Sequence, residues 1–158
     1  MNQLTESRDS LFVELSDRDL SRQNSLLNQA PFLKDQGDLE GALLLYREAE
    51  ALSRQTNDDT ILSIVIGRQA AILQEQGDLE GAMRLLMEKE SICRGRHDPS
   101  GLASALASQA HVLAFKQSRP AEGLPLAEDA LRLANKHGIS ALVRQIEPIV
   151  NQIRGLLK

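Results

Sequence analysis

The chain reads QGDLEGA at Gln36–Ala42 and repeats the same seven letters at Gln76–Ala82, 40 residues later. The copy extends beyond the heptapeptide. Laid over one another without a gap, residues 26–53 and 66–93 also match at Gln29/Gln69, Ala30/Ala70, Leu33/Leu73, Leu45/Leu85, Glu48/Glu88 and Glu50/Glu90. A fixed period in the range of roughly 20–50 residues is the signature of a solenoid or array, in which each unit buries one face against the next.

Within one copy the residues before the glycine have helical periodicity. Leu62, Ile66, Ala70 and Leu73 fall at i, i+4, i+8 and i+11, which is one stripe of a helix. Leu79, Ala82, Leu86 and Ile92 form a second stripe after it. Gly77 stands between them, where the first helix must end in a left-handed conformation that glycine adopts without a β-carbon clash. Asp78 is placed to cap the next helix and Glu80 to favour its N-terminal dipole. The repeated heptapeptide therefore predicts the turn of a helical hairpin.

A third, worn copy follows. Gln109, Ala110 and Leu113 in SALASQAHVL (Ser104–Leu113) keep the spacing of 40, but the turn reads KQSRPAEG in place of EQGDLEGA, with one extra residue and no glycine at its hinge. Pro120 is expected in the first turn of the following helix, which continues through Ala127, Ala130 and Leu133 and ends at Gly138. Asn57–Asp59 and Asp98–Gly101 supply breaks and caps between units, with Asp98–Pro99 a clear helix start. At the C-terminal end, Leu142, Ile146, Val150, Ile153 and Leu157 form a further amphipathic helix able to cover the last exposed stripe, with Pro148 expected to kink or split it. Pro31 and Pro125 fall inside predicted helices and are expected to kink them. At the other end, Ser10–Leu15 resembles a degenerate half-unit, and residues 1–9 are expected to fray.

These residues resemble the tetratricopeptide repeat, a helix pair with small side chains where its helices cross. The resemblance covers roughly residues 22–137. It rests on Leu26, Ala30, Leu33, Gly37, Ala42, Tyr46 and Ala49 in the first unit and on Ile66, Ala70, Leu73, Gly77, Ala82 and Leu86 in the second, where Lys89 replaces the expected alanine. The third unit offers Leu106, Ala110, Leu113, Gly123, Ala127 and Ala130. The period of 40 is longer than the usual repeat of about 34 and is similar to the long variant of kinesin light chains and many bacterial repeat proteins. The fold implied is all-α: a right-handed α-α superhelix of three hairpins (21–58, 59–98, 99–138), preceded by an extension (1–20) and closed by a capping helix (139–158).

Composition is consistent with helices packed through small aliphatic residues. Hydrophobic residues make up 42% of the 158, yet only 3% are aromatic and tryptophan is absent. The net charge of −4, with both signs scattered, provides no electrostatic footprint for nucleic acid or an anionic membrane. One cysteine, Cys93, excludes an internal disulfide framework. There is no apolar run of membrane-spanning length, and MNQLTESRDS at the start lacks the layout of a signal peptide. A cytoplasmic location is the expectation.

Catalytic signatures are missing. His97, His111 and His137 share no ligand spacing with each other or with Cys93, and Cys93 sits on an apolar stripe beside Ile92 as a small core residue would. No phosphate-binding loop, dinucleotide fingerprint or nucleophile elbow occurs. A non-enzyme without metal or cofactor is expected, binding a protein or peptide partner. The resemblance implies that the first helix of each unit lines a concave face. It places Asn24, Leu27, Asn28, Pro31 and Lys34 there in the first unit and Ile64, Gly67, Arg68, Ala71 and Gln74 in the second. Ser104, Ala107, Ser108, His111 and Phe115 follow in the third. Asn28 could hydrogen-bond a peptide backbone, and Arg68 could pair with an acidic side chain. Chaperone-binding members of the family use lysines and asparagines as a carboxylate clamp. Leu27 and Pro31 stand where two of these would be, which speaks against a chaperone tail as the partner. Self-association and service as a regulatory subunit of an enzyme are the alternatives.

Overall fold

A computed structural model describes the backbone of residues 2–158 and side chains from Asp17 onward. The side chains of 1–16, including the half-unit expected at Ser10–Leu15 and the stretch 1–9, lie outside it. Among the described residues all regular structure is helical: α1 (Asn2–Asp35), α2 (Leu39–Gln55), α3 (Asp59–Gln76), α4 (Leu79–Gly95), α5 (Pro99–His111), α6 (Pro120–Lys136) and α7 (Ser140–Leu156). A π-helical segment, Val112–Lys116, extends α5. None of these helices is long and apolar enough to cross a membrane. The chain divides into two compact units, residues 1–65 and 66–158, with the division inside α3.

The turns repeat at half the sequence period. Left-handed backbone occurs at Gly37, Asn57, Gly77, His97, Ser118 and Gly138, at intervals of 20, 20, 20, 21 and 20 residues. Around these residues the chain folds back on the helix it has just left. The amide of Asp38 donates to the Leu33 carbonyl at 2.9 Å, Asp58 to Ser53 at 2.8 Å, Asp98 to Cys93 at 2.9 Å and Ile139 to Ala134 at 2.9 Å. Each of these bonds closes over the last helical carbonyls as a glycine-type C-cap does. The next helix then starts on a carboxylate. Asp38 accepts from the Gly41 amide at 2.8 Å, Asp78 from Gly81 at 2.8 Å and Asp98 from Gly101 at 3.0 Å. Asp58 accepts from the amides of Thr60 and Ile61 at 3.1 and 3.0 Å.

The single interval of 21 marks the third hinge, and the extra residue is taken up inside the helix rather than in the turn. The Gln117 amide donates to the Val112 carbonyl five residues back at 3.0 Å, and the Arg119 amide reaches Leu113, six back, at 2.8 Å. This wider coil is how a helix absorbs one inserted residue. Ser118 then takes the left-handed position, at φ 56°. Pro120 opens α6 at a position where its missing N–H breaks no helical bond. Helices α1, α6 and α7 each continue through their internal prolines Pro31, Pro125 and Pro148, so α7 is not split.

In the first unit α1 packs on α2. Leu26 and Ala30 from α1 and Ala42, Leu43, Tyr46 and Ala49 from α2 are buried. Gln23, also buried, donates to Ser53 Oγ at 2.6 Å, and Ser53 in turn donates to the Ala49 carbonyl at 2.8 Å. In the second unit α4 packs on α5, α5 on α6 and α6 on α7, and α5 also meets α7. Its main core joins Ala103, Leu106, Ala107, Ala110 and Ala114 to Ala127, Ala130 and Ala134 of α6 and Ile146, Val150 and Ile153 of α7. Alanine dominates because small side chains let helix axes approach closely. Gly123 takes this furthest: a β-carbon there would lie 2.8 Å from the Ala110 carbonyl oxygen and 3.1 Å from the Ala114 β-carbon. A smaller cluster gathers Ala70, Leu86 and Val112. The third of the repeated glutamines joins two helices, whereas Gln29 is exposed and bonds Ser25 within α1. Buried Gln109 donates to Glu90 Oε2 at 2.7 Å and to the Leu86 carbonyl at 3.4 Å, tying α5 to α4.

Candidate binding cleft

In the second unit α5 meets α7 as well as α6. A cleft of about 210 Å³ opens there. It is lined by Gln74 at the end of α3, by Ser104, Ala107, Ser108 and His111 on α5, and by Leu142, Gln145, Ile146 and Ile149 on α7. The α5 residues fall at i, i+3, i+4 and i+7, and so do those of α7, so each helix contributes one straight face. Ala107 and Ile146 form a nearly closed floor, 8% and 1% exposed. Polar groups stand around it, and no carboxylate is among the lining residues.

His111 closes one end. Its ring meets that of Phe115 at 5.2 Å between centroids, tilted by 53°. Desolvation, and secondarily the nearby Lys116 cation, hold its imidazole below the ordinary histidine range. The neutral ring, able both to donate and to accept, is therefore favoured at neutral pH.

Of the residues singled out by the sequence, Gln74, Ser108 and His111 meet in this cleft. Phe115 touches His111 but lines a neighbouring depression with Ala114, Ser118, Pro120 and Leu156. Arg68 is exposed on α3. Asn24 and Asn28 are exposed and Lys34 half-buried on α1, in the first unit.

Sequence reasoning missed the far wall, Gln145 and Ile149. The expected covering helix, α7, buries Ile146, Val150 and Ile153 in the core, and its residues 142, 145, 146 and 149 also stand at i, i+3, i+4 and i+7 along the cleft. The sequence shows Lys89 only as a departure from alanine. Lys89 is half-buried on α4, and its ammonium donates to Ser104 Oγ at 3.3 Å. A β-carbon on Gly67 would lie 3.0 Å from Lys89 Nζ and 3.3 Å from its Cδ, so the lysine stem runs over the bare backbone of Gly67.

A second depression of about 370 Å³ brings together Cys93, His97, Asp98 and His137 with Arg94, Pro99, Leu102 and Leu133. Cys93 itself is fully buried. Among the described residues no three His, Cys, Asp or Glu side chains converge as metal ligands would. No protein-family model matches the chain, and no curated protein is significantly similar to it.

Proposed function

We propose that the chain is a short array of tetratricopeptide-like hairpins, wound as a right-handed superhelix, that acts as a non-catalytic protein-binding module. The observation that carries this reading is the cleft between α5 and α7, with an apolar floor and a rim of Gln74, Ser104, Ser108, His111 and Gln145. A floor of Ala107 and Ile146 offers van der Waals contact to an extended or helical segment. The amide, hydroxyl and imidazole groups offer hydrogen bonds to its backbone. A groove already shaped by packed helices binds with little ordering cost on its own side. Half-period spacing of the left-handed hinges supports the repeat reading, since units of one length stack with one geometry. The partner is a protein or peptide, in a cytoplasmic setting, with no cofactor needed.

A second reading, self-association, is favoured by one feature: Leu156 and Leu157 at the end of α7 are 57% and 46% exposed. Comparative pull-down from source-cell lysate separates the two readings. Baits are the native chain and an Asn28→Ala/Arg68→Ala/His111→Ala variant with helicity checked by circular dichroism. A partner held by the first and lost by the second places recognition on the first helices of the units. Equal capture by both overturns that placement, and recovery of the chain alone favours self-association.

A further inference from the structure

Gln29, Gln69 and Gln109 hold one register position in three successive units, and so do Phe32, Ile72 and Val112. The two later copies are shut away from water: Gln69, Gln109, Ile72 and Val112 are all buried. On α5 this face lies against α4. Gln109 bonds to Glu90 and to the Leu86 carbonyl, and Val112 packs with Leu86. Ser25, Val65 and Ala105 extend the comparison along the helix, the last two buried and Ser25 exposed.

On α1 the same face is bare. Phe32 is 63% exposed, and Gln29 turns its amide back to Ser25 Oγ, 2.7 Å away in its own helix. A lone exposed ring needs no explanation by itself. This one lies where two other units bury an aliphatic side chain, beside an exposed copy of the glutamine that ties α5 to α4. The outer face of α7 is different. Glu147 and Asn151 take the register positions of Leu106 and Ala110 there, and both are exposed. That polar face offers Phe32 no apolar seat in a head-to-tail stack.

The α1 face does offer one to its own copy. About a point between Ser25 and Gln29, an antiparallel second α1 presents the same residues in reverse order. Ser25 then faces the partner's Gln29, and Arg22 faces the partner's Phe32, each contact made twice as a two-fold interface requires. Ser25 is small enough to let the helix axes approach. Glu48 of α2 bonds to Arg22 and so fixes a guanidinium able to lie over the incoming ring. Further out, Arg18 reaches the end of the second helix that carries Asp35, both being exposed in the single chain. A parallel pair would instead set Arg18 and Arg22 against their own copies.

We propose that α1 pairs antiparallel with α1 of a second copy of this chain, about a two-fold axis between Ser25 and Gln29, with each Phe32 packed on the other copy's Arg22. This rests on the self-association reading and names its surface, in place of the exposed Leu156 and Leu157. A single helix pair is a small interface, so the dimer is expected to be weak and to form with rising concentration.

Sedimentation equilibrium of the full chain over a concentration series reads the association. The variants are Phe32→Ser, Arg18→Asp, Asp35→Arg and the double change Leu156→Ser/Leu157→Ser. All replace exposed side chains, and circular dichroism checks that helicity is kept. The expected result is a monomer–dimer equilibrium that Phe32→Ser weakens on the order of 30-fold, as loss of a central aromatic anchor implies. Arg18→Asp and Asp35→Arg should each weaken it. An equimolar mixture of those two should restore it, because opposite charges then meet at both ends of the pair. The leucine variant should associate as the native chain does. Weakening by Phe32→Ser without rescue in the mixture would overturn the antiparallel pairing. Association lost in the leucine variant but indifferent to Phe32→Ser would overturn the α1 surface and leave self-association standing. A monomer at every concentration would overturn both.

Discussion

Asp78 Oδ1 accepts a hydrogen bond from the Gly81 amide at 2.8 Å, and the other carboxylate oxygen of Asp78 occupies the place a β-carbon on Gly81 would take. The second glycine of the repeated heptapeptide is therefore the seat of the cap, as the first is the hinge. Asp38 and Gly41 stand in the same relation one unit earlier. Asp78→Ala is expected to cost about 1 kcal/mol, the usual loss for an N-cap. Gly81→Ala in the native chain should be close to neutral, since the gain in helix propensity is offset by the displaced cap. In the Asp78→Ala background it should instead stabilise by about 1 kcal/mol. A urea-denaturation double-mutant cycle reads this coupling. Additive effects would contradict it.

At Gly123 the constraint is packing rather than capping. Its neighbours are the Ala110 backbone and the Ala114 β-carbon, neither of which can swing aside. Gly123→Ala is expected to destabilise by about 1–3 kcal/mol, the cost of overpacking a close crossing. Gly95→Ala is the control. It meets nothing within 4 Å at the end of α4 and should stabilise by about 0.5–1 kcal/mol. Thermal melts of the two variants should move in opposite directions.

Ser118 holds φ 56° at the hinge where the other two units have Gly37 and Gly77. Left-handed backbone costs an ordinary L-residue roughly 1–2 kcal/mol. Ser118→Gly should therefore raise stability by about 1 kcal/mol, less the entropy glycine gives back to the unfolded chain. Chemical denaturation checks the direction.

Much of the fold was legible because the hinges are local chemistry. A glycine that must be left-handed, an aspartate that must cap and a proline that fits only the first helical turn leave their marks at fixed intervals. Gly37, Gly77, Asp98–Pro99, Pro120 and Gly138 were read from these marks alone. The extra residue before Pro120 was visible too, but not where it would go. A turn and a helix end can both absorb one residue, and nothing along the chain says that a π-helical Val112–Lys116 takes it up. The cleft was half legible for a similar reason. Periodicity finds the faces of α5 and α7 but not that they face each other, and no pattern along the chain shows Lys89 reaching Ser104 across Gly67.

Lys89 should carry a stability penalty, because desolvation disfavours its charged form. Lys89→Met keeps the stem and removes the poorly compensated charge, so it is expected to stabilise the chain by up to about 1 kcal/mol. A destabilised Lys89→Met protein would mean that the ammonium is well satisfied in the free chain.

His111 predicts a pH dependence. Its folded-state value lies below 6.5, so below pH 6.5 the unfolded chain takes up a proton that the folded chain resists. The stability contributed by neutral His111 is therefore complete above pH 6.5 and declines as pH falls from 6.5 through the folded value. Denaturation of native and His111→Gln proteins between neutral and mildly acidic pH should show a gap that shifts against the native chain on acidification. A gap constant with pH would contradict a half-buried ring held neutral by partial desolvation.

Whether the α5–α7 cleft receives a partner peptide is read by amide chemical-shift mapping of the labelled chain titrated with a captured partner segment. The largest shifts are expected at Gln74, at 104–111 and at 142–149, with the rest of the chain little changed. Shifts confined to α4 and α6, or shifts that follow the chain's own concentration rather than the peptide's, would contradict it.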